Sequence, residues 1–282
     1  MSEWTDIVDC VTGHVTLLKE LGVRTVELPA GFFAEWDRPV LVPVAAAARA
    51  PLAAPEPFEK FKLPEVVPPP LAVAPLAPEE RAKALEGIAE RVRVCDQCPL
   101  HAAGRTNVVP GQGNADSPDV MFIGEAPGEE EDRQGLAFVG AAGQFLTKMI
   151  VAMGYTREQV FIANICKCRP PRNRAPEAGE MQRCLPFLRE QISIIRPKVI
   201  VLLGGTAIKG ILNSQTGVTR MQGVWTAYEG IPVMPTYHPS YVIRFENSGD
   251  AAGMNTVKRQ VWEALKLVLA RLGKPVPQPG KK

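Results

Sequence analysis

Histidine, aromatic side chains and net charge are all scarce in this chain. Of its 282 residues three are histidine, 6% are aromatic, and the formal net charge is +2. A near-neutral total excludes capture of a polyanion by bulk charge, so any contact with nucleic acid must come from a local basic surface. No apolar run approaches the ~20 residues that a membrane-spanning helix needs. The start, Met1-Ser2-Glu3-Trp4-Thr5-Asp6, lacks the basic segment and apolar core of a secretory signal. The expectation is a soluble, cytoplasmic protein without membrane contact. In such a compartment six cysteines argue for metal ligation or thiol chemistry ahead of disulfides, because cytosolic thiols are kept reduced.

What is abundant is apolar surface and proline. Nearly half of the residues are hydrophobic (46%), enough for one sizeable core with a smaller appendage. Apolar residues from Ile7 to Leu21 recur at helical spacing and Gly22 follows them, which predicts a short N-terminal helix. Between Pro39 and Pro78 lie eleven prolines and ten alanines, a composition that blocks helix and sheet ladders and favours extended, solvated chain. The organisation read from this is an accessory segment over 1–38 that could dock a protein partner, a Pro/Ala-rich linker over 39–78, a main domain over 79–272, and a disordered tail over 273–282.

Within the main domain, short apolar runs alternate with helical patterns. Val120-Met121-Phe122-Ile123, Val160-Phe161-Ile162-Ala163, Val199-Ile200-Val201-Leu202-Leu203 and Ile231-Pro232-Val233-Met234 read as strands, the first three covered on both faces. Helical periodicity appears over Glu79–Arg93, Gly143–Met153, Gly179–Ile195, Thr206–Leu212 and Asn255–Leu272. This alternation predicts an α/β fold, a three-layer α/β/α sandwich around a mostly parallel sheet. Ligands of such sheets bind beyond the carboxyl ends of the strands. There the unusual residues cluster: Gly124 to Gly128 after the first strand, Asn164 after the second, and Tyr237 to Ser240 after the fourth.

Cys95 and Cys98 form a CxxC pair, the local spacing at which two thiolates grip one metal centre, and Cys168 and Cys184 follow further on. Four thiolates without histidine suit zinc or an iron–sulfur cluster. A zinc ribbon normally carries a second CxxC, and here the later pair is widely spaced. Cys10 and Cys166 are left over and are read as structural.

Four motifs stand in order along the chain: Gly124-Glu125-Ala126-Pro127-Gly128-Glu129-Glu130-Glu131-Asp132; Phe138-Val139-Gly140 with Gly143-Gln144; Asn164 with Lys167-Cys168-Arg169-Pro170-Pro171; and His238-Pro239-Ser240. From Cys95 to Leu272 the sequence resembles the family 4 uracil-DNA glycosylases. The resemblance implies hydrolysis of uracil from deoxyribose in DNA, the opening step of base excision repair. It also implies a [4Fe-4S] cluster on Cys95, Cys98, Cys168 and Cys184, and a role for Glu131 in crowding uracil C5 against the thymine methyl. Taken alone, the run Glu129–Asp132 reads equally well as a solvated acidic face.

The residue types match the chemistry that this implies. A uracil drawn out of the stack needs a flat apolar surface and a polar reader of its Watson–Crick edge. Phe138 and Asn164 suit those roles, since a carboxamide donates to O4 and accepts from N3–H. Taken singly, Phe138 also reads as ordinary core and Asn164 as a turn residue. Gly124, Ala126 and Gly128 permit close backbone approach to the base. Cleavage places negative charge on the departing uracil, so an electrostatic donor is needed together with a placed water. His238 is the candidate donor toward O2. Glu125 is the candidate for the water, the best-known uracil glycosylases carrying an aspartate where this chain has Ala126.

Residues 161–200 hold eight Lys/Arg against three Glu. Lys167, Arg169, Arg172 and Arg174 are the candidate phosphate contacts. Ser240, Tyr241 and Arg244 are further candidates for DNA contact, with Tyr241 or Val242 the expected tip of a wedge filling the gap left by the extruded base. The chain is expected to act as a monomer. The competing readings are a relative that traps uracil-DNA covalently, disfavoured by the absence of an Arg-rich insertion bearing a histidine, and a noncatalytic metal-containing DNA-binding module.

Overall fold

The computed structural model describes residues 76–277, all of which belong to one compact unit. The helix expected between residues 6 and 22, and nearly all of the expected linker, lie outside the described residues. The first described helix, α1 (Pro78–Arg93), begins with proline at its first position, where the missing N–H would have no helical partner in any case.

Six strands form one sheet: β1 (Gln112–Gly113), β2 (Val120–Gly124), β3 (Phe161–Asn164), β4 (Val199–Leu203), β5 (Thr226–Tyr228) and β6 (Ile231–Thr236), in the order β1-β3-β2-β4-β6-β5. The four central strands are parallel, and the short β1 and β5 run antiparallel at the edges. All residues of β2, β3 and β4 are buried, the consequence of helices on both faces. Alternate residues serve the two faces. Val120 and Phe122 join Leu146, Ile150, Val261 and Leu265 in one apolar cluster, while Met121 and Ile123 join Ile88, Val92, Leu188 and Ile192 in the other.

The layers follow from this alternation. On one side lie α3 (Ala141–Ala152), α7 (Pro239–Ser248) and α8 (Ala251–Arg271); on the other lie α1, α4 (Ala178–Ile195) and α5 (Gly204–Leu212). Two short helices, α2 (Glu129–Gln134) and α6 (Val218–Met221), and three 3-10 turns, Pro99–Ala102, Arg157–Gln159 and Pro171–Asn173, complete the described elements. Among the described residues no helix is long and apolar enough to cross a membrane.

The segment after His238 forms a helix, α7, that the sequence periodicity did not mark, with His238 its N-cap residue and Pro239 its first position. Asn164 ends β3, paired with Gly124 at the end of β2, and does not follow the strand. The chain after Gly273 is held at its start, where the Lys274 amide donates to the Leu269 carbonyl and its ammonium lies 3.1 Å from Asp119.

Candidate active site

Sheet order reverses around β2, whose neighbours are β3 on one side and β4 on the other, and a crevice at such a switch point is the expected ligand site. A cavity of about 330 Å³ opens there, lined among others by Glu125, Gly128, Glu131, Phe138, Asn164 and His238. A second cavity of about 580 Å³ adjoins it and shares Glu125, Asn173, His238 and Ser240. Sequence reasoning placed three of the motifs at the strand tips, and the fold brings these and the Phe138 motif around one space.

Asn164 is 2% exposed and its Oδ1 has no hydrogen-bond partner among the described residues. A buried acceptor without a partner costs about 1–3 kcal/mol, so its persistence needs a reason. Asn164 lies beside Gly124, where a Cβ would collide with the Phe138 ring and lie 2.5 Å from Asn164 Oδ1. Only glycine lets ring and carboxamide share that corner. Phe138 is buried, its φ is +53°, and its ring centroid lies 5.8 Å from that of His238.

Glu131 is buried and accepts from the amides of Gly128 (3.0 Å), Val139 (2.9 Å) and Gly140 (2.8 Å). The acidic run is therefore not a solvated face at this position. One carboxylate ties the loop after β2 to the loop that carries Phe138. Ala126 is half-buried.

The Ser240 amide (3.2 Å) and hydroxyl (2.8 Å) both reach His238 Nδ1. A ring nitrogen that accepts from a backbone amide carries no proton, so the neutral imidazole holds its proton on Nε2. Burial, and then the charge of Arg244, push the His238 pKa down to about 4. Glu125 accepts a hydrogen bond from the Thr206 hydroxyl. Thr206 lies in α5 and was read only as the start of a helical pattern. Its role depends on a contact across 81 positions of sequence, for which no local signal exists.

The basic loop behaves unevenly. Lys167 is 1% exposed, and its ammonium donates to the Asn164 carbonyl (3.0 Å) and to Gln191 Oε1 (2.8 Å). It cannot face DNA phosphates, and the expectation that it does is corrected: α4 supplies an internal acceptor that captures it. Burial pushes its pKa down to about 8. Arg174 lines the first cavity, but both of its terminal nitrogens donate to the buried Glu180 carboxylate, at 2.8 and 2.6 Å. Arg169 donates to Asn173 Oδ1 (2.8 Å) and lies 3.5 Å from Glu129. Arg172 is exposed.

Val242, offered as one wedge tip, is 1% exposed and part of the core, because helical spacing turns it inward once the segment is α7. Tyr241 stacks on Tyr237 (5.1 Å between centroids) and meets Phe245 edge-on, with the Arg244 guanidinium 5.4 Å from its ring. Ser240, Tyr241 and Arg244 all line the second cavity.

Cys95, Cys98, Cys168 and Cys184 converge on a separate small cavity, together with Arg105, Lys167 and Arg183. They come from the segment after α1, the loop after β3, and α4. Arg105 donates to Cys168 Sγ (2.8 Å) and the Lys167 amide to Cys184 Sγ (3.2 Å). None of these thiols is in a disulfide. Among the described residues no three His, Cys, Asp or Glu side chains converge closely enough to hold a single metal ion. Cys166 is fully buried beside Cys184.

These features define a class of protein: an α/β fold with a polar-lined cavity at the carboxyl ends of its parallel strands and a separate thiol-lined cavity beyond the loop after β3. Comparison with known proteins narrows the class. Residues 110–266 match the family model of the uracil DNA glycosylase superfamily. The chain is 46% identical over 168 residues to a type-4 uracil-DNA glycosylase of Thermotoga maritima, covering 58% of this chain and 85% of that one. It is 48% identical over 165 residues to the type-4 enzyme of Sulfurisphaera tokodaii (55% and 74%), and 41% identical over 169 residues to that of Archaeoglobus fulgidus (57% and 84%). The chain belongs to the uracil DNA glycosylase superfamily, in its type-4 branch.

Proposed function

We propose that the strand-tip cavity receives one uracil drawn out of a DNA strand and that the N-glycosidic bond to its deoxyribose is hydrolysed there. Membership of the type-4 branch makes the chain a DNA N-glycosylase, a hydrolase of DNA repair. The observation that carries the site assignment is the unpartnered Asn164 Oδ1. Uracil supplies N3–H to that oxygen, whereas cytosine presents a bare acceptor at N3, so the wrong base leaves two acceptors opposed.

The residues then divide the work. Phe138 offers the flat face that replaces lost base stacking. Glu131, through the three amides that it holds, sets the wall facing uracil C5. His238, neutral with its proton on Nε2, donates to uracil O2 as the C1′–N1 bond breaks and negative charge spreads over the ring. Glu125, steadied by Thr206, positions the water whose oxygen bonds to C1′ and accepts the proton that it sheds. The products are an abasic sugar bearing a C1′ hydroxyl and free uracil. Arg172 and Arg244, together with Ser240 and Tyr241 in the adjoining cavity, contact the strand on either side.

The thiol site fits a [4Fe-4S] cluster better than zinc. Four thiolates line one small cavity, and the later two are too widely spaced in sequence for the second CxxC of a zinc ribbon. Cys95, Cys98, Cys168 and Cys184 would hold the cluster, with Arg105 and the Lys167 amide donating to ligand sulfurs. Held by these thiols, it would tie the segment after α1 to the loop after β3 and to α4, and so brace the loop that follows Asn164.

Alkaline strand scission of an oligonucleotide bearing a single deoxyuridine tests the reading, with Asn164→Ala and His238→Ala as comparisons. The wild-type chain releases free uracil and both variants are severely impaired. Retention of wild-type rates by either variant rejects its assignment.

A further inference from the structure

Phe138 is held in a backbone conformation that a bulky side chain rarely adopts, with φ +53°. The surroundings that impose it are a two-sided clamp. On one side the Arg157 guanidinium donates to the Ala137 carbonyl (2.7 Å), the Phe138 carbonyl (3.0 Å) and the Thr147 hydroxyl (3.0 Å). On the other, the Glu131 carboxylate takes the next two amides, Val139 and Gly140. Consecutive carbonyls thus face a cation and consecutive amides an anion, with the charges of Arg157 and Glu131 felt by each other. Thr147 is itself anchored, its hydroxyl donating to the Gly143 carbonyl at 3.0 Å. A Cβ at Gly143 would overlap the Phe138 carbonyl that Arg157 holds.

We infer that Arg157 is a positioning residue for the glycosylase reaction: by gripping the carbonyls of Ala137 and Phe138 it fixes the plane of the Phe138 ring against which the extruded uracil lies. The inference rests on the assignment of Phe138 as the stacking face. Arg157 itself does not line the base cavity and acts only through the backbone that it holds. Its planar fork spans two carbonyls and a hydroxyl at once, which a lysine ammonium on a flexible stem does not reproduce. A misplaced ring costs rate because small errors in the position of a bound reactant are amplified in the transition state.

The test is a double-mutant cycle in the full chain with Arg157→Gln, Phe138→Ala and both together. Each is assayed for kcat and KM on a single-stranded deoxyuridine oligonucleotide and for inhibition by free uracil, and rates are referred to the folded fraction found by thermal melting. Arg157→Gln is expected to lower kcat/KM about tenfold or more and to weaken uracil inhibition by a similar factor. In the Phe138→Ala background it adds less than about twofold. Arg157→Lys recovers only part of the loss. If Arg157→Gln does not fold, Thr147→Val loosens the same clamp and shows the same non-additivity at smaller size. Independent, multiplicative losses overturn the inference, as does a lowered melting temperature with unchanged kcat/KM per folded molecule. Phe138→Ala with wild-type activity and uracil inhibition overturns the stacking assignment itself, and the inference with it.

Discussion

Replacing Asn164 by alanine should move activity and stability in opposite directions. The side chain is 2% exposed and its Oδ1 is unpartnered in the free protein, so folding bears the desolvation of an acceptor without return. Removing it relieves about 1 kcal/mol of that penalty. The space released opens onto an existing cavity of about 330 Å³, so no closed void forms. A domain of this size gains about 2 to 4 °C in melting temperature for each kcal/mol, and the variant should melt at or a few degrees above the wild type. The Lys167 contact survives, because it is made to the backbone carbonyl of Asn164. Catalysis should suffer instead. Losing both bonds to the uracil edge costs about 2–4 kcal/mol of transition-state binding, or roughly 30-fold to 1000-fold in kcat/KM. Single-turnover release of uracil from a labelled oligonucleotide, run beside a thermal melt, measures both. A variant that melts several degrees lower while cleaving at the wild-type rate would make Asn164 a structural residue and refute the reasoning.

His238 has its pKa depressed to about 4 by burial and by Arg244, so its neutral, donating form persists from neutral pH down toward that value. The kcat profile should show no acid limb near the ordinary histidine range from this residue, and Arg244→Ala should move its titration upward, as followed by NMR of the imidazole. Because the unfolded chain protonates this group near pH 6.5 and the folded chain only near 4, stability should fall as pH drops through that window and level off below it, a dependence absent from His238→Gln. Arg172→Ala should lower the slope of log affinity against log salt for single-stranded DNA by about 0.7, whereas Lys167→Met should leave the slope unchanged and lower the melting temperature, since it strips a donor from two buried acceptors. Cys184→Ser should abolish absorbance near ~400 nm and iron content, while Cys166→Ser, beside it, should retain both; iron analysis of the purified chains decides this.

The alternation of apolar runs and helical periods was legible because burial on both sheet faces demands continuous β-branched strands, as in Val199–Leu203. Proximity of three of the motifs followed from parallel strands sharing one carboxyl edge; that of the Phe138 motif, which lies between two helices, did not. The edge strands β1 and β5 were not legible, having two and three residues and no burial pattern of their own. Helix α7 was hidden by Pro239, which reads as a breaker unless His238 is recognised as the N-cap. Lys167 looked like a phosphate ligand because its sequence neighbours are cationic. Only the arrival of Gln191 from α4 shows that its charge is spent inward.

Arg157 marks the limit most sharply. It stands in a short polar stretch between a helix and a strand, with nothing in its neighbours to set it apart. Residue type and spacing determined which groups are able to read a pyrimidine edge, donate to a departing anion, or bind a metal centre, since those capacities belong to the side chains themselves. Which cations face solvent and which face in, which tautomer His238 adopts, and what holds Phe138 in its left-handed conformation were decided by tertiary structure, because each depends on a partner supplied from another element of the fold.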